Sequence, residues 1–428
     1  MIQESNKIKV ANFLKNGYLS YIFALLSVIV LPIHVQYIPP FMILWGISWV
    51  IENYSRFNLI LNSRTEYKVL LFLFVSFYMW EVISLIYTTD INLGLLNLYG
   101  RLSLVLFPIV LIFPGKMISK KAKLLIRIFA LCTGLFMLFS FSYALFRSVN
   151  LNDGLCTFNP HPPEFWWLSY FYSSELTVFQ HPSYISMYVL FSVFICFEAW
   201  YDYSLDFTRR ILWLILGAFL SISQYFLSSR VGIITSLILV SLYFIYKFKR
   251  VGKRKFAWLW IIIIIIAILP ILVKNLRVNA LYDRIFDKSV SNEQNIDPRF
   301  QIWKSSLKIA KNNFLFGVGI GDVRRELAKE YLKLGEYQMA KDRYNAHNQF
   351  LEVQLEGGII GLLLLILIFI EMSYIAFSDR NILLGIFIMI VFMFFLFETV
   401  LYRLAGVSFF SLFSFLLLHI NSQKKNLN

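Results

Sequence analysis

The chain has 428 residues, of which 58% are hydrophobic and 18% aromatic, with a formal net charge of +15 at pH 7 and a mean hydropathy of +0.66. Soluble domains are nearer half apolar, and a membrane span needs about 20 predominantly apolar residues. This composition excludes a soluble globular protein. It predicts an all-α polytopic membrane protein in which residues 1–428 form a single integral membrane domain.

The positive charge does not indicate binding to nucleic acid, because the basic residues form no contiguous patch with interleaved aromatic side chains. Basic loops on the cytoplasmic face of a membrane explain the charge better. The three cysteines form no C-x-x-C motif and no pair suited to a disulfide. We therefore expect membrane lipids, and no nucleic acid, among the partners.

Twelve apolar segments are expected to cross the membrane, and an even number places both termini on one side. They are residues 18–36, 39–53, 69–87, 93–113, 123–146, 184–200, 211–227, 231–246, 256–273, 357–376, 381–397 and 404–420. Lys and Arg concentrate in alternate loops, above all in 116–123 and 247–255, whereas the short loops between them carry few. Since cytoplasmic loops are enriched in Lys and Arg, both termini are predicted to be cytoplasmic.

Two outer loops are long, residues 147–183 and residues 274–356, and the second connects predicted spans nine and ten. In 297-DPRFQIWKSSLKIAKN-312, Asp297 suits a helix N-cap and Pro298 the first helical turn. A second helix is predicted over 322–342, with 317-GVGIG-321 as a turn between the two. The loop is thus expected to form a small helical cap on the outer surface.

Three polar residues on the outer side are the strongest candidates for chemistry: Arg230, Arg299 and His347. Arg230 is the only charge in a minimal outer turn, although an arginine at an interface is a common structural feature. Arg299 follows the Asp-Pro helix start and could simply be solvated. His347 lies at the outer end of span ten, where helical spacing would align it with Leu351, Leu355 and Gly358.

Weaker candidates lie on the same side or inside the bilayer. His181 and Tyr184 open span six in 180-QHPSY-184, which is also a plain helix-start pattern. Glu398 and Arg403 share the last outer turn and could form a local ion pair. Glu81 and Arg101 lie within spans three and four, where ionisable groups are expensive, so they should face each other or line a substrate cavity. These six side chains are possible site-lining residues: His181, Tyr184, Glu398, Arg403, Glu81 and Arg101.

Arginines and a histidine at a membrane surface suit a lipid-linked diphosphate substrate. Arginine stays charged and binds phosphate oxygens bidentately, and histidine can accept a proton from an attacking sugar hydroxyl. No acidic cluster with metal-ligand spacing occurs on the outer side. We therefore expect neither a metal nor another cofactor.

The stretch 347-HNQFLEVQLEGGIIG-361 resembles bacterial O-antigen ligases, whose motif is His, then Asn, Ser or Gln, nine residues, Gly, two residues, and Gly, Thr or Tyr. His347, Asn348, Gly358 and Gly361 occupy its positions. The stretches 228-SSRVG-232 and 298-PRFQIW-303 also resemble the two arginine sites of this family, in the expected order.

The resemblance implies a metal-independent, inverting glycosyltransferase of the bacterial inner (cytoplasmic) membrane, with its active site facing the periplasm. It would transfer a glycan from undecaprenyl diphosphate to lipid A-core. His347 would be the catalytic base, Arg230 and Arg299 would bind the diphosphate, and Asn348 would line the site.

Other functions stay open at this point. O-antigen polymerases and bacterial protein O-oligosaccharyltransferases share the superfamily, and the donor chemistry does not separate them from ligases. A glycan or lipid transporter is a different class. It would show repeated halves and charges spread through mid-membrane, whereas no internal repeat is visible here.

Overall fold

The computed structural model describes residues 16–53, 64–152, 155–162, 168–250 and 298–420. Apart from one short hairpin, these residues form helices and their connections, so the predicted all-α class is confirmed for them. The helices of the first half are α1 Tyr18–Ile33, α2 Ile38–Asn53, α3 Thr65–Ser84, α4 Ile91–Arg101, α5 Ser103–Ile112, α6 Lys116–Ser148, α7 Pro182–Trp200, α8 Phe207–Phe226 and α9 Arg230–Arg250. Those that follow are α10 Pro298–Asn312, α11 Val323–Lys333, α12 Tyr337–Lys341, α13 Gln349–Ser378, α14 Ile382–Phe395 and α15 Leu404–Leu416.

The chain divides into two compact units. Unit 1 comprises Met1–Cys132 and Gln301–Asn428, and unit 2 comprises Thr133–Phe300. Helices α6 and α10 contribute residues to both units.

Six of the described helical segments are long and apolar enough to cross a membrane. They are Thr65–Ser84, Ile91–Ile112, Lys116–Ser148, Pro182–Trp200, Arg230–Lys247 and Gln349–Ser378. Helices α1 and α14 and the segment Leu404–His419 are apolar but shorter. The number of twelve spans stays a prediction, and the segment 256–273 lies outside the described residues.

Two predicted spans differ in detail from the structure. The segment 93–113 consists of α4 and α5, which are separated at Leu102. The segment predicted over 357–376 belongs to α13, which begins eight residues earlier, at Gln349. Hydropathy missed this first part because Gln349, Glu352 and Glu356 are polar. All three are buried, so here the polar face of the helix points into the protein.

The core of unit 1 is built around α15, in which every residue from Ala405 to Leu416 is buried. A helix that is apolar on all sides is expected to be enclosed by other elements. Phe410 of α15 stacks on Phe74 of α3 and Phe369 of α13, with ring centroids 5.3 and 6.0 Å apart. This aromatic packing joins α3, α13 and α15.

Unit 2 is organised by α7, most of which is buried. The Gln224 amide of α8 donates a hydrogen bond to Ser186 Oγ of α7 at 2.7 Å. Gly232 of α9 packs so closely on this pair that an added Cβ would lie 2.0 Å from Ser186 Oγ and 2.2 Å from Gln224 Nε2. The first turn of α9 is therefore held tightly against α7 and α8.

The loop helices α10–α12 form their own apolar cluster in unit 1, apart from the first residues of α10. Ile302, Ile309, Leu327 and Tyr331 pack together there, and the cluster reaches Leu355 of α13. The single helix predicted over 322–342 is wrong. Gly335, with φ 78°, separates α11 from α12. The predicted Asp297 cap lies outside the described residues.

A short hairpin in the predicted outer loop 147–183 was not expected from the sequence. Strand β1 (Val149–Asn152) pairs antiparallel with β2 (Leu155–Phe158), with Val149 opposite Phe158. The sequence carried a signal for it, since 152-NDG-154 contains the Asp-Gly pair favoured in hairpin turns.

Candidate active site

His347 lies in the segment before α13 and is not part of that helix. Its φ is 45°, in the left-handed region, and Asn348 is the N-cap of α13. The Asn348 side chain accepts a hydrogen bond from the Leu351 amide at 3.0 Å. The expectation that His347 shares a helical face with Leu351 and Leu355 is therefore wrong, because the helix starts only after it.

The backbone of residues 346 and 347 forms hydrogen bonds with three side chains. The His347 amide donates to Asn345 Oδ1 at 3.1 Å. The Ala346 amide donates to Glu352 Oε2 at 2.9 Å, and the Ala346 carbonyl accepts from the Trp303 indole of α10 at 3.1 Å. These bonds stabilise a backbone conformation that costs a non-glycine residue roughly 1–3 kcal/mol.

The imidazole of His347 faces a carboxylate. Its Nδ1 lies 3.7 Å from Oε2 of Glu398, and the two side chains are 33% and 19% exposed. The distance is too long for a hydrogen bond and short enough for an ion pair once the imidazole is protonated. With this ring orientation Nδ1 faces the carboxylate, and Nε2 is the nitrogen left for a substrate.

The turn that carries Glu398 is tied directly to the His347 segment. Asn348 Nδ2 donates to the Leu396 carbonyl at 3.0 Å, and Asn345 Nδ2 donates to Thr399 Oγ1 at 2.6 Å. The Leu401 amide donates to Gln349 Oε1 at 2.7 Å. These three bonds fix residues 396–401 relative to 345–349, and with them the distance between the histidine and the glutamate.

Arg101 forms a buried ion-pair cluster with two glutamates. Its guanidinium contacts Glu81 Oε1 at 2.5 Å and binds both Glu356 oxygens, at 2.6 and 2.7 Å. The side chains of all three are at most 4% exposed. Arg101 Nε also donates to the Leu401 carbonyl at 3.1 Å. Of the two alternatives for Glu81 and Arg101, the structure thus shows that they face each other.

Gly358 interrupts α13 just after Glu356, with φ 63° and ψ −161°. The carbonyls that lose their helical hydrogen bonds at this break accept hydrogen bonds from other segments. Leu355 O accepts from Val318 N at 2.7 Å, Glu356 O from Gly319 N at 3.1 Å, and Gly357 O from the Trp80 indole at 2.7 Å. The predicted glycine turn 317–321 is therefore confirmed, and it packs on the break in α13.

Tyr331 of α11 lies under the same segment, and its hydroxyl faces the Tyr344 carbonyl at 3.5 Å. Burial, and then the nearby Glu352 carboxylate, raise the pKa of Tyr331. The phenol therefore stays protonated and can donate to the Tyr344 carbonyl, three residues before His347.

In unit 2, Arg230 is half-buried and is the first residue of α9. Its turn is anchored by Ser229 Oγ, which accepts from the Gly232 amide at 3.2 Å. His181 is the N-cap of α7, and its Nδ1 accepts from the Ser183 amide at 3.4 Å. Its ring also makes an edge-on contact with buried Tyr184, at 6.0 Å between centroids. The helix-start interpretation of His181 is therefore confirmed.

Arg299 lies in the first turn of α10 and is half-buried. Arg403 is exposed at the start of α15. The local ion pair considered for Glu398 and Arg403 is not among the contacts of the described residues, and Glu398 Oε2 lies 3.7 Å from His347 Nδ1.

Sequence analysis missed several residues that shape this region, mainly Gln349, Glu352 and Glu356. A signal was present, because positions 349, 352 and 356 lie on one face of a helix that starts at the Asn348 cap. Asn345 and Thr399 carried no comparable pattern, since their hydrogen bond joins residues 54 positions apart. Within the described ranges, no group of three or more His, Cys, Asp or Glu could hold a metal ion.

The fold and this arrangement define a helical, multi-pass membrane protein. Its histidine–carboxylate pair lies at the N-terminal end of a helix that Gly358 interrupts. Residues 214–366 match the family model described as O-antigen ligase. That match confirms the resemblance drawn from the sequence, and it includes Arg230, Arg299 and His347. The match over residues 214–366 supports the O-antigen ligase family and, with it, a glycosyltransferase-like enzyme of the ligase and polymerase superfamily. A comparison with curated proteins gives no match.

Proposed function

We propose that the protein transfers an O-antigen or related glycan from undecaprenyl diphosphate to a sugar of lipid A-core, on the periplasmic side of the inner membrane. The observation that carries this proposal is the His347–Glu398 pair, with a partly exposed imidazole 3.7 Å from a carboxylate. The family match over residues 214–366 supports the same substrate class.

His347 is the general base in this proposal. Its Nε2 takes the proton of the acceptor hydroxyl as the hydroxyl oxygen attacks the anomeric carbon. The bond between that carbon and the diphosphate oxygen breaks, and undecaprenyl diphosphate leaves with the electron pair. Glu398 stabilises the imidazolium that forms, as a carboxylate does in a catalytic triad. A single displacement of this kind inverts the anomeric configuration.

The proposal needs cations to stabilise the departing diphosphate, since no step in it uses a metal. Arg230 and Arg299 are assigned this role, because a guanidinium is permanently charged and matches the spacing of phosphate oxygens. The hydrogen bonds and packing around Gly232 support the role of Arg230, because a rigid helix start holds an arginine in one place.

The proposal is tested with purified full-length protein, a synthetic lipid-linked donor and lipid A-core as acceptor. His347→Ala is expected to insert and fold normally and to lose at least about 100-fold in transfer rate, the range for a lost general base. Arg230→Lys should lose most activity, since a point charge does not reproduce bidentate binding. Normal transfer by His347→Ala would overturn the catalytic assignment, and no transfer by the wild type would overturn the function.

The acceptor is tested separately, because a polymerase would use the same donor chemistry. Deleting a ligase leaves long glycan on the lipid carrier and none on lipid A-core. Deleting a polymerase leaves single repeats attached to lipid A-core. The second phenotype would show that lipid A-core is not the acceptor, and it would leave the assignment of His347 as the base unchanged.

A further inference from the structure

Arg324 of α11 lies beside the His347 segment with an incomplete set of partners. Its guanidinium stacks over the Tyr402 ring, 4.2 Å from the centroid, and donates one hydrogen bond to the Arg343 carbonyl at 3.2 Å. Its Nε is shielded from water and has no hydrogen-bond partner among the described residues. A ligand cannot reach the enclosed Nε, but the residue is only half-buried and its Nη2 also has no hydrogen-bond partner among the described residues, so this nitrogen is the donor expected to be completed by a ligand.

The neighbouring cations of α11 are satisfied, in contrast to Arg324. Arg325 pairs with Asp322 at 3.4 Å and Glu326 at 3.2 Å, and Lys329 pairs with Glu326 at 2.7 Å. Lys333 pairs with Glu330 at 3.2 Å. No carboxylate lies within ion-pair distance of Arg324 in the part of the chain that the structure describes. Arg324 is therefore distinguished within one helix by its missing counter-ion.

Two carboxylates of this region are engaged with other groups. Glu352 is close enough to interact with it electrostatically, but its Oε2 accepts the Ala346 amide. Glu398 lies against His347. The two chain segments that touch Arg324 also carry exposed Arg343 and Arg403. The excess of positive charge favours an anion next to the histidine.

We propose that Arg324 binds a phosphate group of a substrate at the site of His347. A guanidinium suits this role, because its planar set of donors can bind two phosphate oxygens at once while the ring of Tyr402 fixes its plane. The phosphate belongs either to the lipid-linked diphosphate donor or to a phosphorylated sugar of the acceptor. The inference rests on the proposed function and adds to it a third phosphate-binding arginine.

Steady-state transfer by the purified full-length protein separates the two sources of phosphate. The variants are Arg324→Gln, Arg324→Lys and the matched control Arg325→Gln, which lies next to Arg324 in the same helix. Losing a charge-assisted hydrogen bond should raise one KM by roughly tenfold or more, with a smaller rise for Arg324→Lys. A rise in the KM of the donor assigns the diphosphate. A rise confined to the phosphorylated acceptor, absent with the dephosphorylated acceptor, assigns the acceptor phosphate.

A binding measurement keeps this inference separate from the proposed function. Binding of farnesyl diphosphate and of phosphorylated core oligosaccharide is measured for the wild type, Arg324→Gln and Arg325→Gln in detergent. A wild type that binds one probe but transfers nothing would overturn the proposed function and not the phosphate site. Arg324→Gln should weaken one probe by roughly tenfold, and Arg325→Gln should stay within about twofold.

Two results would overturn the inference. One is equal binding and equal KM values for the wild type and Arg324→Gln. The other is a loss of thermal stability and kcat in Arg324→Gln with no dependence on phosphate in either substrate, which is what a purely structural contact to Tyr402 and Arg343 predicts.

Discussion

His347 combines a left-handed backbone with a side chain aimed at Glu398. Histidine adopts this backbone region more often than bulky or β-branched residues do, yet the conformation still costs free energy. The hydrogen bonds that residues 346 and 347 form with Asn345, Glu352 and Trp303 offset that cost. A strained residue held so firmly is typical of a functional position, since the surrounding structure must determine its conformation.

Glu398→Gln tests the partner of this histidine. The amide keeps the size of the side chain and removes the charge that stabilises the imidazolium, so kcat should fall about 10- to 100-fold. Glu398→Asp is the control, because it keeps the charge and should lose less. Both rates are measured in the transfer assay at saturating donor and acceptor. An unchanged kcat in Glu398→Gln would remove the carboxylate from the mechanism.

At this scale the sequence predicts types of residue better than their partners. Glu81 and Arg101 could be paired in advance, because unpaired charges inside a membrane are expensive. Glu356, which binds Arg101 through both oxygens, was not recognised because it lies within the motif 347–361, which was interpreted as the start of a span. The contact between His347 and Glu398 joins residues 51 positions apart, and no local pattern encodes such a separation.

At the scale of elements, the break in α13 determines where its polar residues lie. Gly358 adopts φ 63° and ψ −161°, a region that is essentially restricted to glycine. The backbone of residues 314–319 fills the break, and Ile359 N donates to Phe314 O at 2.9 Å. The polar first turns of α13, with Glu352 and Glu356, therefore form a separate segment from the apolar remainder of the helix.

Gly358→Ala is expected to be strongly destabilising. An added Cβ would lie 2.1 Å from Leu315 O, and the backbone would be strained as well, so the loss should reach about 2–5 kcal/mol. Gly385→Ala in α14 is the matched control, because a Cβ there meets nothing within 4 Å. Thermal unfolding of the purified protein in detergent measures both. Equal midpoints for the two variants would contradict the role of the break.

Apolar runs allowed most of the described spans to be found, because a membrane helix is marked by composition over about 20 residues. The start of α13 and the division of the loop into α11 and α12 were not found. Both depend on tertiary contacts and on positive φ angles at two glycines, Gly358 and Gly335. A glycine permits a positive φ but does not require it, so the sequence alone does not predict these breaks.

At the scale of the whole molecule, orientation connects these features to function. A base that acts on a periplasmic sugar must lie on the outer side, and the loop charges predict that His347 lies there. Unit 2 contains residues predicted to lie on opposite sides of the membrane, which allows a direct test. Of the three cysteines, Cys156 is exposed while Cys132 and Cys196 are buried. Cys156 lies in the predicted outer loop 147–183, and exposed Ser204 lies in a predicted cytoplasmic loop.

A membrane-impermeant maleimide should therefore label Cys156 in cells whose outer membrane alone has been permeabilised. The Cys156→Ser, Ser204→Cys double variant should be labelled only after the inner membrane is also disrupted, because Arg209 and Arg210 predict that the loop 201–210 is cytoplasmic. Cys156→Ser alone controls for labelling of the two buried cysteines. The opposite pattern would put His347 on the cytoplasmic side, where it could not reach a periplasmic acceptor, and the transfer proposed here would fail with it.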